Sequence, residues 1–439
     1  MILRKFIKYP SLLIGLAYTI INLFFMRAFW SELLFDRSET GAIYGEVYAV
    51  EWGLEHLYQN IIAFKNPFAH TLDILYPFGG NLLATDSGSG FFTLFLRPFL
   101  STHQAFYVVT ALGLLAANVG MYLLLRKLEF NKSIAFILGL SYGYSPFLMV
   151  RLGHITYYSI YIFPWFFYFV MAVLRSQNFK QKTLNSIGAA FTLALSLYLN
   201  LYFFVIIAFS LGLFIFYFLF KDRKVFISKL VSHRNYLILF IFLSTVFLFP
   251  WLGILYNTYL FEGLPKVGGW GGAVQFSSDL FGYFIPSTYS YFLNFIPTFL
   301  EKHFLFVRGI FENFSYPGFI ILASYASLIF LQQKKKISKK QVDALNPFLF
   351  TALIFWILTL GPFLHVFGKW GLTLDDGVRL VVPLPYIVFH SLPFISNIRV
   401  PGRLAIAFIF FSYFVAAYVM KILAENKSNK FTSKDGPAL

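Results

Sequence analysis

The sequence predicts an all-α polytopic membrane protein with about ten transmembrane helices and amphipathic, interfacial helices in long outer loops. Three observations carry that expectation. The chain of 439 residues is 58% hydrophobic and only 12% charged, about half the charged share usual in soluble domains. Apolar runs near spanning length recur along it. The basic residues gather on alternate loops between those runs.

The apolar runs, read in order for spanning length, are roughly 9–29, 105–125, 133–150, 155–174, 184–202, 203–220, 236–256, 316–333, 346–366 and 402–421. The first follows a basic stretch, Met1 to Tyr9, has no small-x-small cleavage site, and reads as a retained signal anchor. Residues 184–220 fit two short spans with a turn near Asn200, or one span and a re-entrant piece. With the N-terminus inside, the cytoplasmic segments are 1–8, 126–132, 175–183, 221–235, 334–345 and the tail from Lys421. They carry 23 Lys and Arg against 5 Asp and Glu, and the other side carries 12 against 14. This sorting follows the positive-inside rule and places both termini in the cytoplasm, with the plasma membrane as the location. It also excludes nucleic acid as the partner of the +16 net charge, because the basic residues sit in short separate loops. The partner is membrane lipid.

The outer segments, about 30–104, 257–315 and 367–401, are long and rich in Trp, Tyr, Pro and Gly. They read as interfacial helices and packed loops of one transmembrane domain spanning 1–425, with 426–439 a disordered cytoplasmic tail. Cysteine is absent, which excludes disulfides and thiol chemistry.

The candidates for chemistry lie in those outer segments and in the outer turn between the third and fourth spans. Six acidic residues fall between Glu32 and Glu55: Glu32, Asp36, Glu39, Glu46, Glu51 and Glu55. Carboxylates at a membrane surface are costly unless wet or partnered, and so invite a functional reading beside the plainer one of a solvated loop. In Arg151-Leu152-Gly153-His154 the histidine suits phosphate binding, proton relay or metal ligation, against the plainer role of bonding a loop. Arg399 and Arg403 stand four residues apart before the last span. Two guanidinium forks there suit a phosphate, and equally suit snorkelling to lipid headgroups. Ser278-Asp279-Leu280 and Glu312 with Tyr316 and Gly318 read as ordinary loop and cap signals.

The motifs form an ordered series: Gly45-Glu46 with Trp52 seven residues after the glycine, Asn66-Pro67-Phe68, Tyr76-Pro77-Phe78-Gly79-Gly80-Asn81-Leu82, Gly153-His154, Leu392-Pro393-Phe394, and Arg399-Val400-Pro401-Gly402-Arg403. In that order and spacing the chain resembles the GT-C superfamily of integral membrane glycosyltransferases, over roughly residues 1–425. The resemblance implies an inverting transfer of sugar from a polyprenyl-phosphate donor to an acceptor at the outer face. It implies a base at Glu46, where similar proteins carry Asp, or at Glu51. It implies phosphate or substrate contacts from His154, Arg399, Arg403, Trp52, Tyr76 and Asn81. A divalent metal is used by some members and not by others, and no metal ligands are assigned here. The alternatives are a non-catalytic protein of the same fold in envelope assembly, and a lipid or glycan transporter. A transporter would place ionisable residues near mid-bilayer, and the spans carry almost none.

Overall fold

The computed structural model describes residues 10–36, 45–68, 70–74, 76–80, 87–151, 155–257, 269–288, 290, 293–303, 311–392, 395 and 398–432. The chain is an all-α, multi-pass membrane protein. Among the described residues seven helices are long and apolar enough to cross a bilayer, and an eighth crossing arises if one bent pair is counted as a span.

That pair opens the fold. Helix α1 (Pro10–Phe25) turns through 79° into α2 (Arg27–Leu34). Buried Asn22 pins the bend: its Oδ1 accepts the Trp30 indole N–H at 3.0 Å, and its Nδ2 donates to the Ala111 carbonyl and the Tyr144 hydroxyl. Satisfying each polar atom matters where no water competes. Helices α3 (Gly45–Ile62) and α4 (Ser87–Leu94) follow.

Helix α5 (Thr102–Lys127) begins at a capping box, Ser101 and Gln104 each bonding the other's backbone N–H. It packs against α6 (Lys132–Gly143), which is followed by the short α7 (Pro146–Val150). A Cβ at Gly143 would lie 1.8 Å from Asn118 Oδ1 and 3.1 Å from the Leu114 carbonyl. Glycine there lets two helix backbones close up, as small residues do between membrane helices. A 3-10 segment, Ile155–Tyr161, lies against α5 and feeds α8 (Ile162–Arg175).

Helices α9 (Phe179–Leu199) and α10 (Leu201–Ser232) meet at Asn200, whose extended backbone breaks the run and whose Oδ1 caps the Tyr202 N–H at 2.9 Å. The 184–220 stretch is thus two helices with the turn at Asn200, and of the two α10 is long and apolar enough to count as a span. Helix α10 runs on past the expected loop, with one non-helical residue at Asp222. Helix α11 (Arg234–Asn257) follows. Its most apolar window is only 6% buried. A helix apolar all round and uncovered by protein has lipid as its solvent.

The remaining helices are α12 (Phe295–His303), α13 (Phe319–Gln333), α14 (Lys339–Thr359), α15 (Tyr386–His390) and α16 (Ala405–Thr432). Two-residue strands β1 (Leu372–Thr373) and β2 (Arg379–Leu380) pair antiparallel between α14 and α15. Helix α16 is central, packed by α13, α14 and α6, and the apolar window of the span it forms is 78% buried. Its stacked Phe410, Phe411, Tyr413 and Phe414 fill the core. It continues to Thr432, so the tail expected to be disordered from Asn426 starts as helix.

Candidate functional site

The polar chemistry collects where α2, α3, α5 and the Ile155–Tyr161 segment meet, and beside it where α7, the 311–316 stretch and the start of the last span meet. The first cluster is built on His103, in the opening turn of α5. Its Nδ1 stands 2.7 Å from Glu51 Oε1 and its Nε2 stands 3.3 Å from Glu32 Oε2. All three side chains are 14% exposed or less. Helix α2 brings Glu32 and helix α3 brings Glu51, so the bend at Asn22 is what delivers the first carboxylate. Burial pushes the Glu51 carboxyl above its ordinary value, with His103 acting against it and Asp36 adding to it.

One turn along α3, Glu55 has the opposite character. Burial raises its carboxyl, but bonds from Gln59 and Thr102 and the Arg97 guanidinium outweigh that and hold it low. Arg97 Nη2 donates to Glu55 Oε2 at 2.9 Å, and Thr102 donates to the same oxygen. Both carboxylates face the N-terminal turn of α5, whose dipole favours negative charge.

The second cluster is centred on Glu312. Arg403, in the 3-10 turn Pro401–Leu404, grips it with Nε at 3.1 and 3.0 Å from the two carboxylate oxygens, and Nη2 donates as well. Among the described residues no acceptor meets Arg403 Nη1. Arg151 is fully buried. It donates to the carbonyls of Phe147, Glu312 and Phe314 and lies 3.7 Å above the Phe147 ring. Burial draws its guanidinium down to about 10, so it stays charged at neutral pH. Gly402 donates its N–H to the Phe276 carbonyl at 3.0 Å, and a Cβ there would sit 2.1 Å from the Glu312 carbonyl. Only glycine lets these strands of chain approach so closely.

The Ile155–Tyr161 segment joins the two clusters. Tyr157 lies 5.8 Å from both the Arg151 and Arg403 guanidinium carbons. The next residue, Tyr158, packs edge-on against Phe29, which packs on Tyr107, which packs on His103. The clusters are therefore neighbours through one short segment.

Beyond the second cluster, the 270–279 stretch and the 365–370 stretch frame a groove of about 520 Å³ lined by Trp270, Val274, Gln275, His365 and Trp370. Asp279 holds its floor by accepting the N–H groups of Phe281 and Gly368, the loop role its sequence suggested.

Of the residues singled out in the sequence, Glu51 and Arg403 sit in the two clusters. Arg399 is exposed four residues before Arg403. Trp52 is surface-exposed and stacks on His56 at 5.3 Å, away from His103. Tyr76 is 82% exposed, beside the Thr71–Gly80 bridge. Glu46 is in the first turn of α3, and its side chain lies outside the described ones; His154 and Asn81 lie outside the described residues altogether. Sequence reading passed over His103 and undervalued Glu312 and Arg151. A histidine in the first turn of an apolar span was the available signal for the first; the other two needed the tertiary contact between residues about 160 positions apart.

Among the described residues no group of three His, Asp or Glu side chains is arranged to hold a metal ion. A family model described as a domain of unknown function (DUF6311) matches residues 23–428. The chain belongs to the DUF6311 family. The matched stretch takes in both clusters, from Glu32 to Arg403, so they belong to the DUF6311 domain itself. No curated protein and no solved structure matches the chain.

Proposed function

We propose that the protein is an inverting GT-C-like glycosyltransferase that moves a sugar from a polyprenyl-phosphate donor to an acceptor hydroxyl at the outer face of the plasma membrane. The observation that carries this reading is the juxtaposition of a half-buried, oriented carboxylate (Glu51 on His103) with an arginine cluster one short segment away. A buried carboxylate with a raised pKa is suited to general-base work, and guanidinium groups are suited to the charge that grows on a departing phosphate. Among the described residues Arg403 Nη1 meets no acceptor, and Arg399 is exposed four residues before it. In this reading the base, Glu51 or Glu46, takes the hydroxyl proton and the oxygen attacks the anomeric carbon from the face opposite the leaving phosphate. Lipid phosphate then departs toward Arg399 and Arg403.

The reading includes about ten spans. The bent α1–α2 pair, α9 and α13 would join the seven long apolar helices. Both termini are cytoplasmic by the charge sorting along the sequence.

A second reading, a non-catalytic member of the same fold serving envelope assembly, draws on the closed ion pair of Arg403 with Glu312 and on Glu46 standing where similar proteins carry Asp. Purified full-length protein in lipid vesicles, given a panel of polyprenyl-phosphate sugars, separates the two. The transferase releases lipid phosphate, and Glu46→Gln or Glu51→Gln abolishes the release. Absence of release from every donor, under conditions where the protein stays folded, favours the second reading.

A further inference from the structure

Glu32, Glu51 and His103 come from three separate helices and meet at one point, Glu32 and His103 buried and Glu51 half-buried. A neutral imidazole has one N–H, so it can donate to one carboxylate only. With a carboxylate on each ring nitrogen, the cluster holds either an imidazolium between two anions or a neutral ring with one carboxyl protonated. Either way it carries two protons and a net charge of −1. The groups facing it are Asp36 beyond the end of α2, Tyr48 on α3 and Tyr107 on α5, with the Glu55–Arg97 pair one turn further along α3. Glu51 Oε1 is fixed by the ring. Among the described residues its Oε2 has no hydrogen-bond partner.

We propose that His103 is a positioning residue for Glu51: Nδ1 holds Oε1 at 2.7 Å while Glu32, at 3.3 Å from Nε2, holds the ring, so that Oε2 alone is presented to the acceptor hydroxyl. This rests on the transferase reading with Glu51 as the base. In the step it serves, the acceptor O–H proton passes to Glu51 Oε2. The freed oxygen forms the bond to the anomeric carbon. The anomeric carbon's bond to the phosphate oxygen breaks, and its electron pair leaves on the lipid phosphate. His103 and Glu32 neither give up nor take a proton in this step. The reason for such a device is tolerance: a reacting group displaced by about 1 Å costs on the order of 10²-fold in rate.

Two substitutions separate positioning from packing. The amide nitrogen of His103→Asn falls near the place of Nδ1, and that of His103→Gln near the place of Nε2, so only the first keeps a donor for Glu51. With the full-length protein in lipid nanodiscs, His103→Gln should lower kcat about 10²-fold at unchanged KM, and His103→Asn should recover at least tenfold of that. Equal losses in the two variants, or a rise in KM in place of the fall in kcat, overturn the proposal. A readout independent of turnover is the ¹⁵N-histidine spectrum of the wild type and of Glu51→Ala. The His103 Nδ1–H signal should be present in the first and lost to exchange in the second; a signal unchanged by Glu51→Ala overturns the pairing. If no donor is turned over by the wild type, the transferase reading fails, while the spectrum still decides whether His103 holds Glu51.

Discussion

The two polar clusters are built from the same kinds of residue and end in opposite states. Around Glu312 the charges close on themselves: one guanidinium grips both carboxylate oxygens, and a second is wrapped by three backbone carbonyls. Around His103 the charges do not close. Two carboxylates share one ring, and among the described residues one oxygen of Glu51 is left open. A closed cluster fastens distant stretches of chain together. An open one keeps free energy in reserve for a proton or a ligand, at some cost to stability. The contrast assigns Glu312 and Arg151 a mainly structural part, with Arg403 Nη1 left for the departing phosphate, and gives the cluster around His103 the proton chemistry.

The largest effect expected from that contrast is on turnover. Glu51→Gln keeps the shape and the bond to His103 but removes the basic oxygen, and should lower sugar transfer by about 10²- to 10⁴-fold, the range for a lost general base. Its thermal stability should be unchanged or slightly raised, since a buried charge is removed. Next is Glu312→Ala, which strands Arg403 and removes the carboxylate charge that favours the buried guanidinium of Arg151. It should destabilise the protein by about 3–5 kcal/mol, as breaking a buried pair does, measured by denaturant or thermal unfolding in a defined detergent. Gly402→Ala should cost about 1–3 kcal/mol, because its Cβ must push the Glu312 carbonyl aside. A Gly402→Ala protein of wild-type stability would show that the close approach there is easily relaxed.

The smallest effect is a pair of opposite pH slopes. The Glu51 carboxyl is raised above its ordinary 4.5 by burial. The folded chain therefore binds that proton more tightly than the unfolded one, and the associated stability is present below 4.5 and lost as pH rises through the folded value. The Glu55 carboxyl is lowered by its partners, so its contribution is present above 4.5 and lost as pH falls. Melting temperature against pH should lose its downward component in Glu51→Gln and its upward component in Glu55→Gln. Slopes of the same sign in both variants would erase the difference between the two carboxylates.

Much of the scaffold could be read from the sequence because the bilayer imposes simple demands. A run of about 20 apolar residues announces a span whatever packs beside it, and Asn200 announced its turn through its own side-chain chemistry. The bend at Met26 was not legible, because it depends on Asn22 finding Trp30, Ala111 and Tyr144, partners as far as 122 residues away. The site divides in the same way. Glu51 stood out as one of six acidic residues in an interfacial stretch. Nothing local distinguished it from Glu55, and the distinction came only when α5 placed His103 against one and Thr102 and Arg97 against the other. Arg403 was found by its type and spacing, but Glu312, its partner, looked like an ordinary cap residue.

The most direct test of the contrast pairs two measurements on two variants: lipid-phosphate release from polyprenyl-phosphate sugars, and thermal unfolding, for Glu51→Gln and Glu312→Gln in the same lipid. The account predicts that Glu51→Gln loses release and keeps its melting temperature, while Glu312→Gln lowers the melting temperature and retains release in proportion to the folded fraction. Full release by Glu51→Gln, or a Glu312→Gln protein that melts like the wild type yet is inactive, would contradict it.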